Sequence, residues 1–211
     1  MFRNLKEQIE LFRIWANAYP IDLEQRSGEW ECDYNEWNLL YDSFAKFLQA
    51  CPVEKWNHEI IKDVLYIIAR DNEMEIMISD LACNADLLLV VADAALSSER
   101  DAKWQVAAQL GKLSSHLQEA EQLLLKFVED DEEYVRRQAF MALGTIHSTY
   151  VEQLAEQIWN REEEGQEYQR IAVLDALSKV DSPQLKEYLI KAVEDGRQYL
   201  VSYSSEIEGR L

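Results

Sequence analysis

An all-α fold of stacked helix pairs is predicted by three features of this sequence. Gly occurs only six times and Pro three times in 211 residues, while Leu, Ala, Glu, Gln and Lys are plentiful, a balance that favours long helices over strands. Apolar residues recur at three- and four-residue steps, the spacing of one buried helical face. Stretches of sequence also repeat every 31 to 34 residues, with two helical segments per period. Neither segment of such a period can bury its apolar stripe alone, so neighbouring periods must stack into a solenoid.

The repeats are visible residue by residue. Val128, Glu129, Asp130 and Tyr134 return as Val193, Glu194, Asp195 and Tyr199, an offset of 65. Tyr134, Arg136, Ala142 and Leu143 return as Tyr168, Arg170, Ala176 and Leu177, an offset of 34. Lys103, Leu110 and Gly111 stand 33 residues before Arg136, Leu143 and Gly144.

Taken in order, Phe2, Leu5, Ile9, Phe12 and Trp15 predict an amphipathic first helix, followed by a polar loop over 20–30. Residues 35–50 predict a helix stopped by Pro52, 53–70 another, and 74–81 a short one. Segments 87–96 and 101–113 form a pair. In the next pair, 117–129 buries Leu117, Ala120, Leu124, Phe127 and Val128, and 132–146 buries Val135, Ala139, Ala142, Leu143 and Ile146. The acidic run 129–133 is the turn between them, its end placed at the positive N-terminus of the second helix. Segments 150–159 and 167–180 follow, then 184–193 and 198–207, this last pair opened by Asp181, Ser182 and Pro183 as N-cap and first-turn signals. With no Ser/Gly linker, residues 1–211 are expected to be one continuous domain of five to six helix pairs: 1–82 divergent, 83–208 repetitive.

The run from Asp131 through Val135, Arg136, Ala139 and Ala142 to Leu143-Gly144 resembles the second helix of a HEAT repeat. Residues 101–111 are similar with a shorter lead-in, 167–178 with Gln169-Arg170 and Ser178 at the key places, and the final repeat has Val201 where the Arg would stand. The resemblance covers about residues 85–208. It implies a right-handed α-α superhelix, a HEAT-like solenoid whose second helices line a concave surface that grips a partner protein. Small acidic members of this kind include immunity proteins that neutralise basic toxins. A further branch, the alkylpurine DNA glycosylases, uses a basic groove and has no catalytic residue that matches here.

Charge narrows the function. Twenty-one basic residues face forty acidic ones, a net charge of −19. Nucleic acid needs Lys and Arg to displace its counterions, so it is an unsuitable partner, whereas a basic protein suits this surface. Cys32, Cys51 and Cys83 lack CxxC spacing and read as reduced, mostly buried thiols. No secretory signal and no membrane-length apolar run is evident, which places the chain in the cytoplasm.

No catalytic or metal site is expected, and no cofactor. His58, His116 and His147 are far apart, without HxxxH or HExxH spacing, and read as surface or capping residues. GxGxxG, P-loop and GxSxG motifs are absent. Arg136 and Arg170, in phase with Lys103, read as ion-pair partners of carboxylates between repeats. If Val135, Ala139 and Ala142 point inward, Tyr134, Arg137, Gln138, Met141 and Thr145 form the opposite stripe. Its equivalents are Asp101, Trp104, Gln105, Ala108 and Lys112 in the preceding repeat. Later repeats supply Tyr168, Ile171, Ala172, Asp175 and Lys179, then Tyr199, Ser202, Tyr203 and Glu206. Trp104, Tyr134, Arg137, Met141, Tyr168, Tyr199 and Tyr203 are therefore the expected partner-binding residues, by residue type. The aromatics could equally seal the turns between helices. The alternation of Trp30, Tyr34 and Trp37 with acids suggests either a dock for a basic segment or the packing edge of the N-terminal cap.

Overall fold

The apolar steps become twelve α-helices in the computed structural model, which describes residues 2–19, 30–162 and 164–210; these residues contain no strand. The expected 20–30 loop lies, except for Trp30, outside the described residues. Two compact units are formed, residues 1–106 and 107–211.

The first unit holds α1 (Phe2–Ala18), α2 (Trp37–Ala50), α3 (His58–Ile68), α4 (Ile76–Ala82) and α5 (Ala85–Ala95), while α6 (Arg100–Leu110) carries the boundary. Its core begins at Phe12 of α1, a fully buried ring with four aromatic neighbours. Tyr34 meets it edge-on at 4.9 Å, with Trp37 at 5.1 Å, Trp15 at 5.5 Å and Tyr66 at 6.3 Å. Trp30 stacks on Trp15, and Trp37 on Tyr41. The Trp30–Trp37 cluster is thus built into packing, the second of its two expected roles. Asp71, buried at the α3–α4 turn, accepts the Tyr41 hydroxyl proton at 2.6 Å and the Met77 N–H at 2.8 Å. Burial raises its pKa above the ordinary carboxylate value.

Several boundaries differ from the expected ones. The 53–70 helix is interrupted: Val53–Lys55 makes a 3₁₀ turn, and α3 starts after Asn57, whose backbone is extended and whose side chain accepts the Ile60 N–H at 3.0 Å. An N-cap side chain that satisfies an orphan donor fixes a helix start more firmly than apolar periodicity does. The cysteines are not mostly buried. Cys32 and Cys83 are exposed and Cys51 is partly so, because Cys32 sits in a 3₁₀ turn and Cys83 caps the end of α4.

The second unit pairs α7 (Leu117–Phe127) with α8 (Glu133–Thr145), α9 (Val151–Trp159) with α10 (Gln166–Lys179), and α11 (Leu185–Asp195) with α12 (Gln198–Glu208). The second helices also pack side by side, α8 on α10 and α10 on α12. Close approach needs a residue without a side chain. A Cβ on Gly144 would lie 2.7 Å from the Ala176 Cα, and one on Gly111 would lie 2.7 Å from the Ala142 Cβ. Val135, Ala139, Ala142 and Leu143 are buried as expected, but Leu117 is exposed because it is only the first residue of α7.

Asp181 does not open a helix as the sequence suggested but closes one, while Ser182 both closes α10 and starts the turn into α11. At the end of α10, Asp181 adopts left-handed φ (51°), the Ser182 N–H reaches the Leu177 carbonyl and the Asp181 N–H that of Ser178. His147 (φ 55°) and Ser148 repeat the pattern on Leu143 and Gly144 at the end of α8. These are Schellman closures, normally made with Gly at the left-handed position. The serine hydroxyls then accept the N–H of Tyr150 and of Gln184, starting the next turn in the same way each time.

The repeated arginines stitch the turns. Arg136 is buried and donates to the Asp130 and Asp131 carbonyls at 2.6 and 2.7 Å. Arg170 donates to the Trp159 carbonyl at 3.1 Å, lies over the Trp159 ring, and pairs with Asp195 of the following repeat. Asp195 also holds Arg197 at 2.6 Å. The Arg197 hydrogen bonds, with the Arg170 charge behind them, lower the Asp195 pKa to about 2.

Three outcomes follow. Gly144→Ala should lower unfolding free energy by roughly 1–3 kcal/mol in denaturant melts, since the added methyl meets backbone. His147→Gly should raise it by up to about 1 kcal/mol, relieving left-handed strain. Because the Asp195 pKa is depressed on folding, its stabilisation, at most about 2 kcal/mol, is present above pH 4 and lost as pH falls from about 4 toward 2. Asp195→Asn should flatten that part of the stability–pH curve, and an unchanged curve would refute the assignment.

Candidate functional site

Helical spacing turns one stripe of α8, α10 and α12 away from the core of the second unit. On α8, Tyr134, Arg137, Gln138 and Met141 are half-buried and Thr145 is exposed. Arg137 is the centre of this stripe. Its guanidinium lies 4.7 Å from the Tyr134 ring and 5.1 Å from the Tyr168 ring of α10, while Glu133 holds it at 3.0 Å. Tyr168, 45% exposed, stacks on Tyr199 of α12, 60% exposed, with centroids 6.3 Å apart and planes 22° from parallel. Three expected tyrosines and the expected arginine are therefore one continuous contact, ring to cation to ring to ring.

A second chain of contacts runs beside it. The Tyr203 hydroxyl donates to Asp175 at 3.0 Å, and burial together with the Asp175 charge pushes its pKa up to about 12. The phenol thus remains a hydrogen-bond donor at neutral pH. Lys179 pairs with Asp175 at 2.7 Å and donates to Thr145 of α8 at 3.2 Å. Met141 is half-buried on the same helix as Arg137.

Two expected members of the stripe are buried instead. Ala172 is inside the packing of α10, and Gln105 is fully buried in the first unit, donating to the Ile68 and Asp101 carbonyls at 2.8 and 2.9 Å. A second helix flanked by neighbours buries a wider arc than one apolar stripe. Trp104 belongs to the first unit, half-buried, with its indole N–H 3.2 Å from Asp101.

The sequence did not reveal the repeated carboxylates that start the next second helix. Glu167 accepts the N–H groups of Tyr199 and Leu200 at 2.9 and 3.1 Å, at the start of α12. The Glu133 carboxyl, 34 positions earlier, lies against Gly165, the N-cap of α10. Negative charge at a helix N-terminus is stabilising, and the 34-residue offset was the available signal.

Electrostatically, the stripe differs from its surroundings. Glu133–Arg137, Asp175–Lys179 and Glu206–Arg210 are each an acid and a base four residues apart, so the second helices neutralise much of their own charge. Further acids gather elsewhere: 129–132 in the α7–α8 turn, Glu162 and Glu164 before α10, and Glu119, Glu121, Glu152 and Glu156 on first helices. The site offers rings, fixed donors and acceptors within an acidic frame. His116 and His147 are exposed turn residues, His58 is exposed in the first turn of α3, and no group of three or more His, Cys, Asp or Glu that could hold a metal occurs among the described residues. Among those residues, no helix is long and apolar enough to cross a membrane.

Comparison with known proteins agrees with this geometry. No curated protein and no solved structure matches the chain. The family model described as HEAT repeats matches residues 124–207, from within α7 to the end of α12. HEAT repeats generally mediate protein interactions. Stacked pairs with glycine-mediated crossings, a turn-stitching Arg at repeat-related positions, and this match together make residues 124–207 HEAT repeats.

Proposed function

We propose that this protein is a non-enzymatic scaffold that binds a partner protein through the stripe on α8, α10 and α12. The observation that carries the reading is the exposed Tyr168–Tyr199 stack, continued through Arg137 to Tyr134. Tyr and Arg dominate interface hot spots, because they bury large rigid area while keeping a polar end satisfied. Here the arginine is held by its own ring and carboxylate neighbours, so little ordering entropy remains to be lost on binding. Met141 and Tyr203 extend the contact surface on either side, and Trp104 is the corresponding aromatic of the first unit.

The acidic frame favours a basic partner. Residues 1–106 hold ten basic and twenty acidic residues, and residues 107–211 eleven and twenty, so both halves attract cations at long range. Such charge chiefly accelerates encounter, while the self-neutralised stripe leaves the final contact to rings and hydrogen bonds. An immunity-type inhibitor of a basic toxin fits within this reading as its most charge-dependent form.

Affinity capture from the native lysate tests the face. The double variant Tyr168→Ala/Tyr199→Ala should lower recovery of the bound protein at least roughly tenfold. Ile190→Ser, which alters an exposed apolar residue on the first helix α11, should leave recovery unchanged. Raising ionic strength should slow association with little change in dissociation. Recovery that follows Ile190 and ignores the tyrosines would overturn the proposal.

A further inference from the structure

The first unit contains a cleft of about 500 Å³ bordered by α1, α3 and the α5–α6 turn. Its floor is apolar, Ile61 and Leu65 of α3 and Ala94 at the end of α5, with Tyr66 also in the lining. Its rim is polar and basic, formed by Arg13, Lys62, Ser97 and Ser98, with Glu99 as the acid among them. Cations thus outnumber acids here, in a unit where acids outnumber cations two to one.

The wall is organised before any ligand arrives. Tyr66 is clasped by two guanidiniums, Arg13 at 4.4 Å and Arg70 at 4.0 Å from its centroid. Arg13 is anchored to Asp63 at 2.7 Å, and Arg70 donates to the Tyr66 carbonyl at 3.1 Å and pairs with Glu99. The Glu99 charge is therefore already answered, and so is that of Arg13. Lys62 is exposed and makes no ion pair among the described residues. It leaves the cleft with one uncompensated positive charge above an apolar floor.

We propose that this cleft binds a small organic monoanion, a carboxylate, sulfonate or phosphate carried on an apolar body. The body would lie on Leu65, Ile61 and Ala94, and the anionic group would meet Lys62 with the Ser97 and Ser98 hydroxyls beside it. Size and character fit such a ligand: sites of a few hundred cubic ångströms with apolar floors and few polar groups are the usual small-molecule sites. The overall −19 charge does not forbid it, because charges beyond about 10 Å are screened at ordinary ionic strength. This site belongs to the first unit and the face on α8, α10 and α12 to the second, and neither proposal requires the other.

The probe is 8-anilinonaphthalene-1-sulfonate, with uncharged N-phenyl-1-naphthylamine as the same ring body without the anion. Fluorescence titration of the full chain should give saturable binding of the sulfonate, tighter than that of the neutral compound. Lys62→Glu should weaken the sulfonate roughly tenfold or more, the scale of one lost charge-assisted hydrogen bond, and leave the neutral compound unchanged. Ala94→Trp, which fills the cleft, should weaken both. The proposal is overturned if binding is not saturable, if both compounds bind equally, or if the sulfonate is indifferent to both variants.

Discussion

The contact between Gly144 and Ala176 sets the geometry on which the second unit depends. With no side chain on Gly144, α8 and α10 approach until a methyl would collide with backbone. That proximity lets Arg137 reach across to the Tyr168 ring and Lys179 reach back to Thr145. A wider crossing would break both links at once. Interior packing transmits such changes because it has the density of a crystal rather than a liquid. The small residues Ala139, Ala142, Ala172 and Ala176, all buried, belong to the same constraint: where helices touch backbone to backbone, large side chains have no room.

Charge is distributed by the same logic. Bases on the second helices are committed to acids four residues away, to turn carbonyls, or to the next repeat. Arg136 and Arg170 are spent on holding the ends of first helices, which is why an arginine at this repeat position reads poorly as a ligand-binding group. The other acids sit mostly in turns and on first helices, where they are solvated and inexpensive. An acidic protein can therefore present an aromatic, nearly neutral stripe without contradiction.

How far this could be read in advance depended on periodicity. The 34-residue offset located α8 and α10 within a residue or two and placed Tyr134, Tyr168 and Tyr199 in one phase, where two of the three now stack and Arg137 bridges the third. Periodicity failed where a polar side chain overrides it. Asn57 starts α3 inside a continuous apolar pattern, Gln105 is buried because its amide serves the Ile68 carbonyl, and Asp181 closes a helix it was expected to open. The basic cleft was invisible for a different reason. Arg13, Lys62 and Ser98 are far apart in sequence and share no period, so only the folded chain brings them to one rim.

The Glu133 and Glu167 carboxylates give the array a direction. Each belongs to one repeat yet serves the start of the second helix in the next, so a repeat carries the starting signal for its successor rather than its own. A duplicated 34-residue block would arrive with the instruction for whatever follows it already in place. Lengthening by tandem duplication toward the C-terminal end then needs no new invention at the junction. At α12 the repeat keeps its tyrosines, Tyr199 and Tyr203, and has Val201 where the arginine would stand.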